Sequence, residues 1–141
     1  MASKPQQGLV MRTVQTRSPS FPDAPVDAPL APVSGERWQV LCGDAAHWRV
    51  GMYSPADTAA AEITELEVHD CPELFLLVSG RVHLLLAIEG ELREVALEPG
   101  KPIQVTAPHC GFCPDGAHTG TAFVVERDSF GNPVAEPCVN D

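Results

Sequence analysis

The feature that most restricts what this chain can fold into is its punctuation. From residue 36 onward, turn-forming residues break the sequence at intervals of about 8–12 positions. They are Gly43 with Asp44, Pro55 with Asp57, Ser79 with Gly80, Glu89 with Gly90, Pro99 with Gly100, and Pro108. An isolated helix needs roughly 12–15 residues to hold in water, so no substantial helix fits between such breaks. Short strands do. Even Ala59, Ala60, Ala61 and Glu62, a run of good helix formers, is too short to stand alone.

The segments between the breaks read accordingly. Residues 37–42 and 47–53 are short β-prone runs. Residues 63–69 alternate, with Ile63, Glu65, Glu67 and His69 on one face and Thr64, Leu66 and Val68 on the other. Residues 74–78 are uniformly apolar, as expected of a strand buried on both faces. Residues 81–88 and 91–97 are joined by Glu89 and Gly90 in a tight hairpin turn. Residues 103–106 form a further strand, residues 110–120 a Gly/Pro-rich loop, and residues 121–127 the last strand. About eight short strands with almost no helix predict an all-β fold of closed or paired sheets, which avoids exposed edges.

A chain of 141 residues is one domain by length. Residues 36–130 make the predicted barrel, flanked by residues 1–35 and an irregular tail over 131–141. Pro19, Pro22, Pro25, Pro29 and Pro32 forbid a helix near the N-terminus and favour extended polyproline-like chain. Phe21, Val26 and Leu30 recur between them, so the segment reads either as a disordered tail or as an arm docked on the barrel or on a neighbouring subunit.

Nineteen acidic against nine basic side chains give a formal charge of -10. A nucleic-acid partner, which needs a basic footprint, is not expected, and neither is an anionic membrane surface. No apolar run approaches the roughly 18 residues of a membrane span. Residues 1–30 lack the apolar centre of a secretory signal, so a cytoplasmic location is the default expectation. Five irregularly spaced cysteines (Cys42, Cys71, Cys110, Cys113, Cys138) predict mostly reduced thiols.

The motif that carries chemistry runs from Glu67 through His69, Cys71 and Glu73 to Gly80. Glu67 and His69 are two apart and so share a face. Glu73 and Gly80 bracket six residues, and His69 precedes Glu73 by four. Downstream, Gly100 is followed by Thr106, Ala107, Pro108 and His109. This order resembles the two sequence motifs of the cupin superfamily over roughly residues 48–126. In that family a glycine and His-x-His precede a glutamate and a second glycine, and a later Gly…Pro-His completes the site. Here Glu67 stands in the first histidine's position, the second loop is about two residues short, and the family's later asparagine has no clear match.

The resemblance implies a jelly-roll β-barrel, one divalent transition metal (Fe, Mn, Ni or Zn) and a small-molecule ligand or substrate. Carried over residue by residue, His69, Glu73 and His109 would be metal ligands, with Glu67 as a fourth. Two imidazoles and a carboxylate with open positions suit such ions. Oxygenase, isomerase and lyase chemistry are all compatible, and whether the protein is an enzyme stays open. The alternative is a metal-free barrel that binds or senses a small molecule, which the carboxylate in place of the first histidine favours. Burying two carboxylates without a cation is costly, and this favours the metal. The resemblance also implies a homodimer paired through an outer sheet face, for which the Pro-rich arm would serve as a clasp.

Other signals are weaker. Cys71, between His69 and Glu73, reads as a loop thiol rather than a ligand. Cys110 and Cys113 form a Cys-x-x-Cys without the helix a redox dithiol needs, and read as loop thiols or an incidental disulfide. Glu65 reads as solvated, His83 as an outer-face residue, and His47 and His118 as surface or loop. Trp38, Trp48, Tyr53 and Phe112 have the chemistry to line a pocket, but in so aromatic-poor a chain they read as core.

Overall fold

A computed structural model describes residues 9–15 and 24–128. The predicted C-terminal tail lies outside the described residues, as does the part of the N-terminal arm holding Pro19, Phe21 and Pro22. Eight strands follow one another: β1 (Trp38–Asp44), β2 (Trp48–Tyr53), β3 (Glu73–Ser79), β4 (His83–Ile88), β5 (Glu91–Ala96), β6 (Ile103–Val105), β7 (His109–Phe112) and β8 (Thr121–Arg127). Among the described residues a single 3-10 turn, at Ala60–Glu62, accompanies them. No helix among the described residues is long and apolar enough to cross a membrane.

All pairings are antiparallel. One sheet has the order β1-β2-β8-β3-β6 and the other β5-β4-β7. The alternation of each strand sends one set of side chains between the sheets. Tyr53, Phe75, Val105, Ala122 and Val124 enter from the larger sheet, and Leu84 and Leu86 from the smaller, to form one buried cluster with Val82 and Leu97. Val82, Leu84, Ala122 and Val124 are completely buried. The result is a jelly-roll barrel: the all-β fold of closed or paired sheets that the punctuation predicts, in the form that the resemblance implies.

Two turns show why particular residues are needed. Glu89 and Gly90 both have positive φ (52° and 80°), which is the hairpin turn that matches strand twist. Gly80 sits at φ 64°, and a Cβ there would lie 2.2 Å from the carbonyl oxygen of Thr119. Only glycine fits where β3 leaves the sheet.

Four expectations need correction. Residues 63–69 alternate in sequence but find no neighbouring strand. Glu67 makes one isolated bridge, to His109, and the rest is irregular. The stretch expected to be a loop begins instead with β7, because residues 109–112 complete the ladder on β4. Finally, residues 74–78 are buried on one face only: Leu74 and Val78 are 41% and 51% exposed. Trp48 is likewise an outer residue rather than core, whereas Phe112 is buried as expected.

Candidate metal centre

Glu73 is the first residue of β3 and His109 the first of β7, and both point between the sheets, almost completely buried. The backbone of Glu67 pairs with that of His109, its N–H donating to the His109 carbonyl at 2.7 Å and its own carbonyl accepting at 3.0 Å. This bridge draws the irregular segment, with His69, against the barrel mouth. One ligand atom from each of Glu67, His69, Glu73 and His109 can be chosen so that all lie within 4.8 Å of one another. The four residues singled out in sequence therefore do converge.

Their orientation is informative. His109 Nδ1 lies 2.9 Å from the carbonyl oxygen of Ala107. A carbonyl only accepts, so Nδ1 carries a proton, and the lone pair of the ring in its neutral form lies on Nε2. That Nε2 faces Glu73 Oε1 at 2.9 Å, and His69 Nε2 faces the same oxygen at 3.3 Å. Despite these distances neither contact has the direction of a hydrogen bond, and Glu73 Oε1 is buried with no donor. The two imidazoles lie nearly parallel, 5.8 Å between centroids. Phe75 packs edge-on against His109 at 5.5 Å. A buried carboxylate oxygen without a donor, flanked by imidazole nitrogens, is the arrangement a divalent cation satisfies.

The electrostatics agree. Burial pushes the Glu73 carboxyl up to about 9; a hydrogen bond with Glu126 and the charges of Glu126 and Glu67 add to this, while His69 opposes it. His69 is held above the usual imidazole range by its hydrogen bond with Glu67, against burial, with help from the charges of Glu73, Glu67 and Glu126. Burial alone would raise Glu67, but the His69 bond and the charges of His69, His109 and Arg37 outweigh it and hold the carboxyl low. Without an ion, protons do the work of neutralising this cluster.

Sequence reading missed Glu126, which is 6% exposed and lies behind Glu73 on β8. The signal was present, because Ala122, Val124 and Glu126 alternate on the inward face of that strand. Arg49 Nε donates to Glu126 at 2.5 Å, and its Nη1 lies 3.7 Å from Asp128. Arg37 and Trp38 were not singled out as site residues, yet with Tyr53 they line the small cavity, about 30 Å³, that opens beside Glu67, Glu73 and His109. The other candidates lie elsewhere. Cys113 is a free, buried thiol and Cys110 is disulfide-bonded, so the two do not bond to each other. Cys71 is a free thiol outside the ligand cluster. His83 faces outward and contacts Glu94 at 2.8 Å.

Comparison with solved structures places this architecture. The chain is similar to the iron(II) form of HppE, at 15% identity over 73% of this chain and 62% of that one, with a TM-score of 0.52. It is similar to a cupin superfamily protein from Desulfitobacterium hafniense at 14% identity, over 75% and 95% of the two chains, with a TM-score of 0.51. Hydroxypropylphosphonic acid epoxidase from S. wedmorenis also matches, at 15% identity over 67% and 51%, with a TM-score of 0.49. No family model and no curated protein matches the sequence. The chain has the cupin fold, with a four-residue cluster of potential metal ligands at the mouth of its barrel. It spans only about half to three-fifths of the length of the epoxidase structures.

Proposed function

We propose that this protein is a metal-dependent cupin in which Glu67, His69, Glu73 and His109 hold one divalent transition ion. The observation that carries the reading is Glu73 Oε1, buried without a donor between two imidazole nitrogens. Iron is the first ion to try, since HppE is described in its iron(II) form; manganese, nickel and zinc suit the same donors. Bound there, the ion would supply Lewis acidity or redox chemistry at its open positions, as oxygenase, isomerase or lyase reactions on a small molecule require. The chain's own residues do the rest. Ala107 fixes the His109 tautomer, Glu126 and Arg49 hold Glu73 from behind, and Tyr53, Phe75 and Val124 keep bulk water from the inner wall.

A second reading is favoured by the raised Glu73 carboxyl: a metal-free barrel that presents a neutral carboxylic acid to a small ligand. Elemental analysis of protein purified without chelator decides between them. One equivalent of metal, lost in His69→Ala, is the expected result. Absence of metal after reconstitution with iron(II), manganese, nickel and zinc would leave the binding barrel. We also infer a homodimer through the outer face of the larger sheet, where Trp48, Leu74 and Val78 are exposed. Sedimentation equilibrium at the monomer mass would rule it out.

A further inference from the structure

We propose that Tyr53 recognises the ligand of the metal centre, by donating its phenol proton to a ligand oxygen; this rests on the metal reading above. Tyr53 is the one tyrosine of the chain, ends β2 and is 8% exposed. Its ring stands edge-on to Phe75 at 6.1 Å, and the Arg37 guanidinium lies over it, 5.5 Å from the centroid. The hydroxyl is placed by the edge of β7 that faces away from β4. Along that edge the His109 N–H donates to the Glu67 carbonyl at 3.0 Å, and the Cys113 N–H to the Asp57 carbonyl at 2.8 Å. Between them the Gly111 N–H donates to the Tyr53 hydroxyl at 2.9 Å. A phenol oxygen thus stands where the neighbouring positions have a carbonyl.

A phenol differs from a carbonyl in carrying a proton of its own. The Gly111 bond uses the oxygen as acceptor, and the hydroxyl proton is donated to no described residue. A buried donor left in this way is costly, and a bound acceptor relieves the cost. The space that Tyr53 borders is the cavity of about 30 Å³ that it shares with Glu67, Glu73 and His109. Burial holds the phenol above its ordinary range; the Arg37 charge and the Gly111 bond oppose this, and the charges of Glu67 and Cys113 add to it. The group therefore acts as a neutral donor. An ion held by imidazoles and carboxylates takes oxygen ligands at its open positions, and such an oxygen keeps a further lone pair for the phenol. The class is a small molecule that binds the ion through a carboxylate or carbonyl oxygen. An amine, with no lone pair left after coordination, gains nothing from Tyr53. The cavity holds little more than a water, so only the coordinating group enters and the remainder is directed outward.

The test uses formate on the full-length, metal-loaded protein, with metal content measured on every sample. Because the chain has one tyrosine, the tyrosine doublet in its ultraviolet resonance Raman spectrum reports the hydrogen bonding of Tyr53 alone. Saturating formate should move the doublet towards the intensity ratio of a strong donor. Tyr53→Phe, at one retained equivalent of metal, should weaken formate by about tenfold in isothermal titration. A doublet unmoved by formate, unchanged formate affinity in Tyr53→Phe, or no formate binding to the metal-loaded wild type overturns the proposal and leaves the metal reading standing. A doublet that shifts on metal loading and no further with formate also overturns it, since the phenol would then serve a residue of the cluster. If Tyr53→Phe folds poorly or loses its metal, the wild-type doublet decides. Wild-type protein that takes up no metal overturns both readings.

Discussion

The two halves of the ligand cluster are built differently. Glu73 and His109 open strands, 3% and 5% exposed, and their positions are set by ladder pairing with Val105 and Leu86. Glu67 and His69 sit on irregular chain whose ties to the barrel include a backbone bridge to His109 and exposed contacts of Arg127 with Asp70, 3.2 Å to the carboxylate and 3.4 Å to the carbonyl. Sheet residues cannot move without breaking a ladder, but a bridged segment can open locally at small cost. The strand half thus fixes the geometry of the cluster, and under the proposed metal reading the irregular half would complete it on binding. A site made this way can be pre-organised where precision matters and still admit an ion.

This contrast predicts unequal losses. His109→Ala should weaken metal binding by about 100-fold or more, and His69→Ala by about tenfold, in competition with a chromophoric chelator. Equal losses would show that the irregular segment is as rigid as the strands. Because His109 is also packed on Phe75, melting of the metal-free variants should be measured alongside, so that a folding defect is not read as a lost ligand.

Glu73→Gln sharpens the comparison from the other side. The carboxyl of Glu73 is raised from 4.5 to about 9, so in the metal-free protein the folded state keeps a proton that the unfolded state releases. Stability from this group is full below about pH 4.5 and is lost as pH rises towards 9. The metal-free wild type should therefore melt at progressively lower temperature from pH 5 to 9. Glu73→Gln, neutral throughout, should lack that slope and be as stable as wild type or more so at pH 8. It should also bind metal about 100-fold more weakly, an estimate in line with loss of a ligand. In the wild type, metal should remove the slope and bind more tightly as pH rises, since it displaces the proton. A flat wild-type melting profile would mean that Glu73 is ionised in the metal-free barrel.

The same division explains what could be read from sequence. Turns are local, so Glu89 with Gly90, and Gly80, announce themselves through residues that tolerate positive φ. Strand β8 was legible because its alternation and its turn boundaries agree. Segment 63–69 has equally good alternation, yet forms no strand, because a strand needs a neighbour and none is within reach except at Glu67. The opposite holds for β7: Cys110 and Gly111 carry little strand preference, but the open edge of β4 imposes it. Gly111 is needed there, since a Cβ would lie 2.7 Å from the Tyr53 hydroxyl. The four residues of the cluster were singled out from spacing and resemblance, and the fold brings them together. Glu126 and Arg37 were not, and Trp38 was weighed as pocket lining but assigned to the core, because what joins them to the site is the packing of distant strands.

Glu126 tests how far the rigidity of the strand half depends on its support. Glu126→Gln keeps the size of the side chain but removes the charge that pairs with Arg49, so Glu73 loses a fixed partner behind it. Metal affinity should fall about tenfold, less than for either strand ligand, because the ladder still places the Glu73 backbone. An Arg49→Met exchange should give a similar loss through the same carboxylate, and the double variant should lose little more than either alone. Additive losses would mean that Arg49 acts on the site by another route.

The smallest effect belongs to the exposed tie of the irregular half. Asp70→Asn removes the charge that faces Arg127 across 3.2 Å, where Asp70 is 89% exposed. An ion pair so open to water contributes little, so melting should not change measurably. If the pair holds the His69 segment near the barrel, metal affinity should still drop, by less than about threefold, and only at low ionic strength, where the attraction is unscreened. A threefold loss that persists in 1 M salt would mean that Asp70 acts by packing or by a backbone effect rather than by charge. No loss under either condition would leave that half held by the Glu67–His109 bridge and by contacts of Arg127 that the change spares, such as the one to the Asp70 carbonyl, and a backbone-directed change at residue 68, such as Val68→Pro, as the next means of releasing it. Proline there lacks an N–H but leaves the Glu67 N–H and carbonyl free to pair, so any loss would come from restricted backbone angles around the bridge.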